Sequence, residues 1–91
     1  MKNLIGTEKQ IIWAEKIRKE ALSTIKENIE ELEEDLEDSK TKKSELENIE
    51  KELELSIKIL EKVENEINSE WFINNRDYLT SINVDNYKFI R

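Results

Sequence analysis

Cysteine, histidine and proline are absent from this 91-residue chain, and glycine occurs once. Without cysteine and histidine there are no usual zinc ligands, no thiol nucleophile, no Ser-His or Cys-His pair and none of the commonest general base. Most familiar catalytic sites are thereby excluded, and neither an enzyme activity nor a cofactor or metal is expected. The lack of proline, with a single glycine, argues against a turn-rich or sheet-rich scaffold. No apolar run is long enough to cross a bilayer, and the opening MKNLIGTEK has too short an apolar stretch for a signal peptide. No membrane association is expected, and the chain reads as cytoplasmic; zero cysteines fits a reducing compartment. Positive charge is in deficit, the formal balance being -7. Duplex affinity comes largely from lysine and arginine displacing counterions, so direct nucleic-acid binding is not expected.

What the chain does contain is charge (41%) and a periodic hydrophobic content (36%). A domain this small is marginal without an efficient core or a partner subunit. Residues 1–91 read as one domain, all-α: a long antiparallel, coiled-coil-like helical hairpin with an aromatic head cluster at its open end. Thr7 and Gln10 form a capping box, with Leu4 or Ile5 able to staple onto Ile11 or Ile12. From Ile11 through Ala14, Ile17, Ala21, Ile25, Ile29, Leu32 and Leu36 the apolar steps of three and four predict a first helix over about 8–38. DSKTKKSE, with no large apolar residue, predicts a turn at 39–43, and Ser44 a new helix start. A second stripe, Leu46, Ile49, Leu53, Ser56, Leu60, Val63, Ile67 and Trp71, predicts a second helix over about 44–80. A turn centred near Thr41 sets Leu36 against Leu46, Ile29 against Leu53, Ala14 against Ile67 and Ile11 against Trp71. The head is then expected to gather Leu4 or Ile5, Ile12, Trp13, Trp71, Phe72, Tyr78 and Leu79, with the two tryptophans as neighbours. The tail 81–91 is expected to fold back over it with Val84, Tyr87, Phe89 and Ile90.

Three features are candidates for function. ENIEELEEDLED, residues 27 to 38, holds eight acids and no base. Its like-charge i,i+4 pairs, such as Glu27 with Glu31 and Glu30 with Glu34, each cost roughly 0.2–0.5 kcal/mol, and negative charge near a helix C-terminus opposes the macrodipole. Glu27, Glu30, Glu31, Glu34, Asp35 and Asp38 are therefore candidates for an acidic face that docks a basic partner, the competing reading being a solvated face relieved by Lys40, Lys42 and Lys43. Asn74, Asn75 and Arg76 could make a polar recognition edge. Leu55 and Ile59, off the main stripe, form a second apolar strip that two hairpins would bury in a four-helix bundle, so a homodimer is expected.

GTEKQIIWAEKIRKE, taken with EWFINNRD, resembles a recurrent pattern in small proteins of phages, plasmids and other mobile elements of low-GC bacteria: a Gly-Thr or Gly-Ser cap before Glu-Lys-Gln, then Trp-Ala-Glu and Ile-Arg, and a later aromatic pair leading into Asn-Arg. The resemblance covers about a quarter of the chain and implies a genomic neighbourhood, one that includes anti-CRISPR and other anti-defence proteins. On that footing the expected function is a non-enzymatic inhibitor, acting in the bacterial cytoplasm, that sequesters a basic host protein such as a nuclease or CRISPR effector. The alternative is a structural coiled-coil accessory module whose acidic run is only solvation. A third reading, a nucleic-acid binder using Lys9, Lys16, Arg18, Lys19 and Lys26, ranks last.

Overall fold

The computed structural model describes residues 3–38, 40–80 and 82. The fold is all-α, and its two long helices pack as a hairpin in a molecule of 50 × 22 × 17 Å. Helix α1 spans Glu8–Glu37 and α2 spans Lys43–Asn65, followed by the short α3, Ser69–Asn74, and α4, Arg76–Leu79. The capping box at the start of α1 is complete: the Gln10 amide donates to Thr7 Oγ1 at 3.2 Å and the Thr7 amide to Gln10 Oε1 at 3.0 Å. At the other end the Asp38 carboxylate accepts from the Lys40 amide at 2.9 Å, and the Thr41 hydroxyl donates to the Asp35 carbonyl at 2.8 Å. These bonds close the turn. Lys42, with no side-chain cap, stands where the sequence suggested a Ser44 start.

The second helix does not run to residue 80. It ends at Asn65, and Asn68 opens α3 by accepting from the Glu70 amide at 3.0 Å. The backbone released at residues 66–68 is taken up by the N-terminal segment. Ile5 donates its amide to the Ile67 carbonyl at 2.6 Å and accepts from the Ser69 amide at 3.0 Å, an isolated parallel bridge. A buried chain must satisfy such groups somewhere, and here two segments some sixty positions apart satisfy each other. Ile67 consequently sits exposed at the break and does not face Ala14, and Trp71 belongs to α3 rather than to the hairpin seam.

Both short helices pack on α1. This gives α1 an unusually wide buried face in its first two thirds: Ala14, Ile17, Arg18, Ala21, Leu22 and Ile25. The core there combines them with Leu4, Ile59, Val63, Phe72, Leu79 and Ile82. Ile82 lies beside the middle of the hairpin, its carbonyl accepting from Asn28 Nδ2 at 3.2 Å, rather than over the head. The expectations for Val84, Tyr87, Phe89 and Ile90 lie outside the described residues. Towards the turn, among the described residues, α1 and α2 meet each other, and Ile29, Leu32, Leu36, Leu46, Ile49 and Leu53 are all half-buried.

The N-terminal segment enters this head as an extended strand, so neighbouring side chains point opposite ways: Leu4 is buried and Ile5 is 63% exposed. Gly6, at φ +154°, makes the link, and a Cβ there would stand 3.0 Å from both Cβ and Oγ of Ser69. Ser69 Oγ is itself buried without a hydrogen-bond partner among the described residues. Replacing it by alanine removes an unpaired hydroxyl at little cost in volume, so Ser69→Ala is expected to leave stability unchanged or raise it by about 1 kcal/mol in a urea titration. A loss larger than about 1 kcal/mol would mean that the hydroxyl makes a contact that matters.

Candidate interaction surfaces

The acidic run occupies the last third of α1. Glu27, Glu30, Glu31, Glu34 and Asp35 are exposed, as is Asp38 just beyond the helix. The last turn of α1 carries no base, so nothing on the helix itself offsets the negative end of its dipole. Among the described residues the ion pair is Lys62 with Glu66, at 2.9 Å where α2 ends; Lys40, Lys42 and Lys43 make no ion pair with the run among those residues. Asp38 differs from the other five because its carboxylate holds the turn. The acids thus form a ridge of free carboxylates on a helix anchored by its opposite face, which offers charge and hydrogen-bond acceptors but no enclosed site. Among the described residues no three acids converge closely enough to hold a metal ion, and no helix is long and apolar enough to cross a membrane.

The candidate polar edge is split by the fold. Asn75 is buried, its side-chain amide donating to the Trp71 carbonyl at 2.8 Å where α3 ends and α4 begins. It caps the junction between the two helices. Arg76 is exposed but committed, donating to the Ile73 carbonyl at 2.8 Å with its guanidinium 5.3 Å from the centre of the Trp13 ring. Asn74 alone of the three is presented without such a tie.

The second apolar strip is also corrected. Ile59 is 2% exposed inside the chain's own core, and Leu55 is half-buried against that core. The buried face of α2 is made of Ser56, Ile59 and Val63, so Ile59 belongs to the same face as the main stripe rather than to a second one. Ile59 therefore offers no free surface to a second hairpin, and Leu55 offers only its half-exposed part.

The aromatic head forms in part. Phe72 and Leu79 are fully buried, and Trp71 meets Phe72 edge-on, with centroids 5.0 Å apart at 87°. Ile12, Trp13 and Tyr78 stay outside, 58%, 47% and 40% exposed. The tryptophans do not pair: Trp71 lies under Lys62 at 5.2 Å, and Trp13 under Arg76. With Ile5 and Ile67 they make the head apolar on its surface as well as inside, and Ile5 and Ile67 border an open cleft of about 410 Å³ with Gly6, Gln10, Asn68 and Glu70. The periodicity hid this because Ile12 and Trp13 follow Ile11 directly, and one helix cannot turn three successive side chains to the same core. Compared with family models, curated proteins and solved structures, the chain matches none.

Proposed function

We propose that the protein is a non-enzymatic binding protein of phage or mobile-element origin. It sequesters a host protein through the acidic end of its hairpin, in the cytoplasm of a bacterium. The partner carries a basic surface of the kind that handles nucleic acid, a nuclease or CRISPR effector being the class that fits. The observation supporting this is the ridge of carboxylates at residues 27–38, exposed and free of ion pairs among the described residues. Such a ridge carries repulsion that a solvated helix does not need, and a basic partner relieves it. Carboxylates spaced along a rod also offer a groove evolved for phosphates the charge pattern it recognises.

Glu27, Glu30 and Glu34 are the residues to neutralise, because Asp38 is needed by the turn. The triple variant E27Q/E30Q/E34Q is expected to lose partner capture from a low-GC bacterial lysate while melting at a higher temperature. The gain is up to about 1 kcal/mol, from relieved i,i+4 repulsion. Capture by the wild type is expected to fall steeply with ionic strength. If the variant and the wild type retain the same partner, the acidic run is solvation and the accessory-module reading takes over, which draws on the half-buried seam near the turn.

A further inference from the structure

The outer ridge of α1, opposite the core, carries an ordered charge pattern over its whole length. Every seventh residue along it is exposed: Lys9, Lys16, Ser23, Glu30 and Glu37. Heptad spacing keeps such a row on one seam of a pair of helices. The sign inverts at the small, neutral Ser23, with lysines before it and glutamates after it. The chain's own helices leave this ridge uncovered. Lys9 and Lys16 make no ion pair among the described residues, and neither do Glu30 and Glu37.

We propose that this ridge is an interface with a second copy of the chain, the two α1 helices lying antiparallel about a two-fold axis at Ser23. Antiparallel alignment about that point sets Lys9 opposite Glu37 and Lys16 opposite Glu30. Next to the ridge, Lys19 falls opposite Glu27 and Lys26 opposite Glu20; a quarter-turn further round, Glu15 falls opposite Glu31 and Glu8 opposite Asp38, so the attraction is confined to the ridge itself. Two-fold symmetry repeats each of these pairs, so the interface is isologous and closes at two copies. A parallel alignment would instead set lysine on lysine and glutamate on glutamate. Ile12 falls opposite Glu34 and covers part of its exposed surface with that residue's aliphatic stem. Exposed ion pairs are individually weak, so the dimer is held by their number and dissolves in salt. This inference does not depend on the function proposed above. The two uses of the acidic end compete, so dimer formation masks the surface that a basic partner would take.

The test is sedimentation velocity of the purified chain at low and high ionic strength. The wild type is expected to sediment as a dimer in low salt and as a monomer in high salt. K9E/K16E and E30K/E37K, each placing like charges across the two-fold, are each expected to weaken dimerisation by at least about tenfold. The chain carrying all four substitutions, and an equimolar mixture of the two double variants, are both expected to recover it, since either arrangement restores every opposite-charge pair. All four sites are exposed on one helix face, and far-UV circular dichroism checks that the fold persists. A chain without other cysteines allows a second readout. Ser23→Cys is expected to cross-link to itself under mild oxidation in low salt, and Ser44→Cys, at the turn, is not. A wild type that stays monomeric in low salt overturns the proposal. So does a dimer that survives in both double variants, or one that the four-fold exchange fails to restore.

Discussion

Phe72→Ala is expected to remove about 3–5 kcal/mol of stability, the usual cost of emptying a buried phenylalanine site. Phe72 is fully buried, and it anchors a helix of six residues. A helix that short does not persist by its own hydrogen bonds. It stays because Phe72 and Ser69 are buried in the head, with Trp71 and Ile73 packed half-buried beside them. The loss should therefore spread beyond the cavity, loosening α4 and its buried Leu79 as well. Urea unfolding followed by tryptophan fluorescence and by circular dichroism distinguishes the two levels: in a Trp13→Phe background, where the fluorescence reports Trp71 beside the substituted ring, its change is expected to precede the helical signal. A loss below about 1 kcal/mol, with both signals coincident, would show that α3 does not depend on this side chain.

Gly6→Ala carries the second largest expected effect, about 2–4 kcal/mol, although it adds a single methyl group. Two costs coincide. The backbone at φ +154° is one that L side chains rarely adopt, and the added Cβ would meet Cβ and Oγ of Ser69 at 3.0 Å. Relief by movement would pull on the Ile5 pairing to Ile67 and Ser69, which joins the chain's start to the break between α2 and α3. The costs can be partly separated: in G6A/S69G the contact with Ser69 is removed, while the contact with Gln10 Oε1 at 3.0 Å and the dihedral cost remain, so thermal melting is expected to show partial recovery. Full recovery would mean that the backbone conformation costs nothing, and an unaltered melting temperature in G6A alone would show that the strand leaves its place freely.

The hairpin was legible because a capping box and steps of three and four are local signals, and α1 starts where Thr7 and Gln10 say it should. The end of α2 was not, because Val63, Ile67 and Trp71 continue the same spacing straight through the break. Asn68 caps α3 in the structure, but what settles the backbone at residues 66–68 is Ile5, far away in sequence. The same distance effect applies to Ile59, which joins one buried cluster with Phe72, Leu79 and Ile82, a grouping that no local pattern encodes. For the acidic run, exposure was legible residue by residue, while the separate duty of Asp38 was not, since it depends on the amide of Lys40 in the finished turn.

The uneven thickness of the hairpin divides its resistance to local opening. Where α3 and α4 cover α1, breaking a backbone hydrogen bond requires uncovering side chains that are only a few per cent exposed. Near the turn the same bond is guarded, among the described residues, by half-buried leucines and isoleucines. Amide hydrogens in the tip therefore exchange through small, frequent openings, while those around Ala14, Ala21 and Val63 wait for unfolding of the whole molecule. The acidic carboxylates ride on the end that opens first, so whatever binds there meets helical turns that can be ordered by the encounter, and part of its binding free energy is spent in holding the tip closed.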